Sequence, residues 1–152
     1  MAALHGVQRR LGHLFRNTPH KNNLDRRDAP WDLDIESTMA ELAVCKHFGH
    51  YWSGIVQAGA KDAGPYQVRS TAYKSGRLLI QKDDDPSDVF ILVVNDCPRF
   101  YLVGWIRGKD AQQKRYWTEK VAGRPCYWVD QGELQPIATI CKDEGHAAPL
   151  PS

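Results

Sequence analysis

Residues 66–72 alternate along the chain. Tyr66, Val68 and Ser70 fall on one parity, and Gln67, Arg69 and Thr71 on the other. Successive side chains of a strand point to opposite faces, so the segment predicts a strand that is otherwise buried and carries polar neighbours on one side. Gln67 and Arg69 would stand about 7 Å apart on that pleat. Val89–Val94 is apolar without a break, the pattern of a strand covered on both faces. Phe100–Ile106 predicts another buried strand, Tyr127–Val129 a final short one, and Leu134–Ile140 an extended piece. Arg77–Gln81 predicts a strand paired with the first through a hairpin turn at Tyr73–Gly76.

Asp32–Gly49 carries the clearest helical signal. Asp34, Ser37 or Thr38 can cap its start, Thr38 and Glu41 have capping-box spacing, and Gly49 is a natural stop. Its body, Met39–Cys45, is apolar nearly all round, which predicts a largely buried helix. Val7, Leu11, Leu14 and Phe15 recur on one face of a short helix within a basic arm, residues 1–30. That arm reads either as a helix packed on the domain and followed by a linker, or as a nucleic-acid or partner-binding extension. Residues 31–144 then form a single α/β domain with a mixed, α+β type sheet, and residues 145–152 a frayed tail.

Composition narrows the class without deciding it. At 152 residues the chain is long enough for one sizeable core, and its net charge of +2 permits a nucleic-acid partner without arguing for one. No apolar run approaches the roughly 20 residues that span a bilayer, so no membrane association is expected. Arginines at 9 and 10 interrupt the N-terminus before an apolar run develops, so no signal peptide is expected. Cys45, Cys97, Cys126 and Cys141 have no paired spacing, which favours reduced structural thiols over a disulfide framework or a zinc site. His47 and His50 read as helix-end and loop residues.

Candidate chemistry gathers at 61–71. Asp62 precedes a Gly-Pro turn at the mouth of the first strand, with Gln67 and Arg69 just beyond. Glu41 is the one acid inside the apolar body of the helix; a carboxylate there needs a cation, a metal or hydrogen-bond donors unless it lies near the surface as a capping group. Lys82–Asp88 reads as a solvated acidic turn. Arg107, Lys109, Lys114 and Arg115 lie beside Tyr116 and Trp117. That mixture suits phosphate contact with base stacking, or equally an exposed segment whose aromatics dock on the sheet.

A helix with Glu41, then Asp62, then Gln67-Val68-Arg69 on a strand followed by buried strands resembles the PD-(D/E)XK nuclease superfamily, including small phage-encoded members. The resemblance covers about residues 34–106. It implies a restriction-endonuclease-like core and a Mg²⁺- or Mn²⁺-dependent deoxyribonuclease. Glu41 and Asp62 would be the metal ligands, Gln67 a third ligand and a catalytic group, and Arg69 would orient water or phosphate. Gln67 replaces a carboxylate and Arg69 a lysine. The neutral amide removes one negative charge from the site, and the guanidinium cannot act as a base. The resemblance further implies DNA as partner, with a second copy or a phage protein as others, and a place in the cytoplasm (the host's, if phage-encoded) or in a virion. A catalytically inactive descendant serving as a DNA-binding or protein-interaction module is the alternative. There Arg69 neutralises Glu41 or Asp62.

Overall fold

The computed structural model describes residues 30–54, 60–120 and 125–140 together with Leu4, and of residues 30–34 the backbone alone. The expected N-terminal arm and C-terminal tail lie outside these residues, apart from Leu4 and the arm's last position.

Helix α1 spans Pro30–Phe48. Proline suits a first helical turn, where its missing N–H costs nothing. The helix begins before Asp34, so Ser37 and Thr38 stand inside it rather than at its cap, and Thr38 is fully buried. The expected stop is borne out: Gly49 takes φ +71°, and the His50 amide donates to the Cys45 carbonyl at 2.9 Å, closing a Schellman turn. No residue from Glu36 to Cys45 is exposed.

Strands β1 (Tyr66–Thr71), β3 (Val89–Asp96) and β4 (Arg99–Arg107) form a sheet in the order β1-β3-β4. β1 runs parallel to β3, and β4 antiparallel to it, so the sheet is mixed as the sequence predicts. A second, antiparallel sheet contains β2 (Leu78–Ile80), β6 (Cys126–Val129) and β5 (Trp117–Thr118) in the order β2-β6-β5.

The expected hairpin between β1 and β2 does not form. The turn exists, with the Gly76 amide donating to the Tyr73 carbonyl at 2.9 Å. Beyond it the chain leaves the sheet, and β2 pairs with β6 through Leu78↔Val129 and Ile80↔Tyr127. Leu78 and Ile80 are fully buried beneath the far face of the first sheet, against Phe90, Leu92 and Ile106. The Gln131 amide donates to the Lys74 and Gly76 carbonyls at 2.9 and 2.8 Å, fastening the turn to the segment after β6.

β3 is the wall shared by two cores. Val89, Ile91 and Val93, together with Tyr66 and Val68 of β1, pack in one core with Ala40 and Val44 of α1. Phe90 and Leu92 face the small sheet. Its unbroken apolar run is thus buried on both sides. β4 departs from expectation in its first half, where Tyr101 is exposed, because it is an edge strand. Its second half is covered by Gln135, whose backbone exchanges hydrogen bonds with Trp105 at 2.8 and 2.9 Å. Gly104 permits this approach: a Cβ there would lie 2.7 Å from Leu134 Cβ. The expected extended piece at 134–140 holds only around Gln135; Ile137–Thr139 is a 3₁₀ turn.

Cys45, Cys97 and Cys126 are not disulfide-bonded to one another, while Cys141 lies outside the described residues. Among the described residues no helix is long and apolar enough to cross a membrane.

Candidate functional site

The mouth of β1 is shaped by a tight turn. Tyr66 exchanges backbone hydrogen bonds with Ala63 at 3.0 and 3.1 Å, and Gly64 adopts φ +57° over the His50 ring. Glycine is required there twice, for the left-handed backbone and because a Cβ would come within 2.7 Å of His50 Cδ2. The turn aims Asp62 along the outer edge of β1, where its Oδ2 accepts the Val68 amide at 2.8 Å. A strand-edge donor is thereby satisfied by a side chain instead of a neighbouring strand.

Gln67 and Arg69 point to the face away from α1, as the alternation predicts. The Arg69 guanidinium lies 5.2 Å from the Phe90 ring centroid. Its Nη1 is 3.8 Å from Asp62 Oδ2, and its Nη2 meets both Asp84 oxygens at 3.1 and 3.0 Å. The Gln67 amide nitrogen donates to Asp88 Oδ2 at 3.1 Å, and Lys61 Nζ pairs with Asp88 Oδ1. A row of donors (Lys61, Gln67, Arg69) on and beside β1 thus faces two acids from the loop 82–88.

That loop corrects the expectation of a solvated acidic turn. The side chains of Asp84 and Asp88 are only 6% and 8% exposed. Asp83 and Asp85 do remain in solvent, and Ser87 hydrogen bonds hold the Asp85 carboxyl below its ordinary range. The role of Asp84, Asp88 and Lys61 was not foreseen. One signal pointed to it: Asp88 directly precedes a strand buried on both faces, so its carboxylate had to find donors.

Glu41 is 5% exposed and its Oε2 accepts the Trp52 indole N–H at 3.1 Å. It approaches from the helix side of the sheet, opposite Gln67 and Arg69. It remains near the β1 mouth: one turn along α1, burial and then the Glu41 charge push the Cys45 thiol up, while the Gly64 amide acts against them.

The residues proposed to hold a metal are therefore divided. Asp62 and Arg69 come together, Gln67 turns its amide nitrogen to Asp88, and Glu41 meets Trp52 across the sheet. Among the described residues no three His, Cys, Asp or Glu side chains gather where they could hold a metal ion.

The basic segment sits against the same loop. Helix α2 (Gly108–Ala111) follows β4 directly; the Gly108 and Lys109 amides donate to the Asp88 and Pro86 carbonyls at 2.8 and 2.7 Å. The Gln112 side chain donates to the Asp84 carbonyl at 2.8 Å. Lys109, Lys114 and Arg115 are exposed, and Arg107 is half-buried. Arg115 stacks 4.4 Å from the Tyr116 ring and lies 3.6 Å from Glu133, which also accepts the Tyr116 hydroxyl at 2.8 Å. Partial burial and that bond push the Tyr116 phenol up. Trp117 packs edge-on to Tyr127, centroids 4.9 Å apart. Tyr116 and Trp117 thus pack against the small sheet and its core, while the basic side chains beside them stay at the surface.

No protein-family model, curated protein or solved structure matches the chain.

Proposed function

We propose that the chain is a nuclease-like protein that binds the phosphodiester backbone of DNA. Its contact surface is the rim made by the β1 mouth, the loop 82–88 and the segment Arg107–Arg115. One observation carries this reading. The loop that meets Arg69 and Gln67 is hydrogen-bonded to the turn bearing Lys109, which sets the candidate phosphate contacts and the candidate site side by side. Lysine and arginine contacts to phosphate position a protein on DNA without reading sequence. With Tyr116 and Trp117 spent on packing, the rim contacts backbone rather than stacking on bases.

The test is titration with mixed-sequence duplex DNA across a salt series. Affinity is expected to fall steeply with salt, and the joint change Lys109→Ala with Lys114→Ala to flatten the logarithmic slope by about 2. A chain that fails to bind at low salt, or binds without salt dependence, removes the reading.

A second reading, a Mg²⁺- or Mn²⁺-dependent deoxyribonuclease on a restriction-endonuclease-like core, is favoured by the 3.8 Å approach of Arg69 to Asp62. Plasmid cleavage in either metal, abolished by Asp62→Ala, would establish it. No cleavage, with binding intact, leaves the module as a binder in which Arg69 neutralises Asp62 and Asp84.

A further inference from the structure

The donors along β1 are already occupied, and the manner of their occupation carries information. Lys61 and Gln67 share the two oxygens of Asp88, and Arg69 Nη2 spans both oxygens of Asp84. Each acid presents a pair of anionic oxygens to cationic or amide donors, which is also how a phosphodiester presents its two free oxygens. Behind the row, the Phe90 ring lies under the guanidinium and holds it in place. In front, Arg69 remains 22% and Lys61 35% exposed, so the donors are reachable once the acids withdraw. Asp84 belongs to a loop bounded by exposed Lys82, Asp83 and Asp85–Ser87. It is held by the Gln81 amide on its carboxylate at 2.9 Å and by Gln112 on its carbonyl.

We infer that Lys61, Gln67 and Arg69 form a phosphodiester-binding row, and that Asp84 and Asp88 occupy it as internal stand-ins which DNA must displace. The inference rests on the DNA-binding reading and adds both Lys61 and a competitor to it. Neutralising a stand-in frees the donors without removing any of them. An amide in place of the Asp84 carboxylate keeps an oxygen for the Gln81 amide but gives up the charge that competes with phosphate.

Fluorescence anisotropy of the full chain with mixed-sequence duplex DNA tests this in four variants. Asp84→Asn is expected to bind about tenfold more tightly at low salt, with a salt slope steeper by about 1. Asp83→Asn makes the same charge change on the same loop away from Arg69, and is expected to alter affinity by less than about twofold. Adding Arg69→Gln to Asp84→Asn should abolish the gain. Asp88→Asn should raise affinity through Lys61, and is read in place of the Asp84 variant if that one does not melt cooperatively. An equal gain from Asp83→Asn, a gain that survives Arg69→Gln, or no gain at all overturns the inference. If the parent binds through Lys109 and Lys114 while neither neutralisation helps, only the row is wrong. If parent and variants alike fail to bind, the DNA reading itself falls and the row with it.

Discussion

Gly49 and Gly64 both have positive φ, yet they are not equally replaceable. An L-residue in the left-handed region costs about 1–2 kcal/mol. Among the described residues nothing lies within 4 Å of a Cβ at Gly49, so Gly49→Ala should cost no more than that, whereas Gly64→Ala must also displace the His50 ring. Urea unfolding should show the larger loss at Gly64, and with it a weakening of whatever Asp62 does at the end of the same turn. Asp88→Ala withdraws the acceptor shared by Lys61 and Gln67. Because Lys61 can recover water, the loss should be about 1–2 kcal/mol, smaller again when Lys61 is first changed to Met. Cys45 offers a chemical check. Its thiol is buried and shifted up, whereas Cys97 is exposed. A thiol reagent should modify Cys97 first and reach Cys45 only on unfolding. The folded thiol keeps its proton to higher pH than the unfolded one, so its contribution is intact below the ordinary thiol pKa and lost as pH rises through the folded value. At this scale the alternation of β1 was readable, since a period of two needs no tertiary information. Asp84 was not, because its burial depends on where Arg69 ends, and the local run Lys82–Asp88 looks the same solvated or paired.

The elements were legible wherever one segment's pattern sufficed. The end of α1 at Gly49, the doubly buried β3 and the short strand β6 each follow from local sequence. The partner of β2 does not, because a hairpin and a crossover share the same turn residues. What separates them is Leu78 and Ile80, which need a core that the far face of β3 supplies and the edge of β1 does not. Leu78→Ala should therefore cost about 2–5 kcal/mol in urea unfolding, a core penalty rather than an edge-strand one. Gln131→Ala, releasing the Lys74 and Gly76 carbonyls, should cost about 1 kcal/mol and loosen the turn without unpairing β2 from β6. The two candidate sites, at β1 and at 107–115, were each readable as compositions. Their adjacency was not, since it depends on α2 meeting the loop 82–88.

Over the whole molecule, α1 and the small sheet lie on opposite sides of one mixed sheet, and β3 contributes side chains to both cores. Loss of β3 dissolves both, so its amides should open only with global unfolding. Hydrogen exchange followed by mass spectrometry should find the slowest amides in Val89–Val94 and faster ones in the first half of β4. This layering also accounts for the different partners that Glu41 and Gln67 meet. A helix on one face and the β1 polar row on the other bring Glu41 and Gln67 to the sheet from opposite sides, with the turn that bears Asp62 at the mouth of the strand between them.

Gly108 leaves no room for a methyl group against the Asp85 carbonyl, and the Gly108 and Lys109 amides close the gap that remains. Two surface stretches, distant in the chain, therefore travel as one plate. A graft that transplants the lysines without the aspartates beneath them would carry neither the curvature nor the charge layout of the original, and an insertion in either stretch would be felt in both.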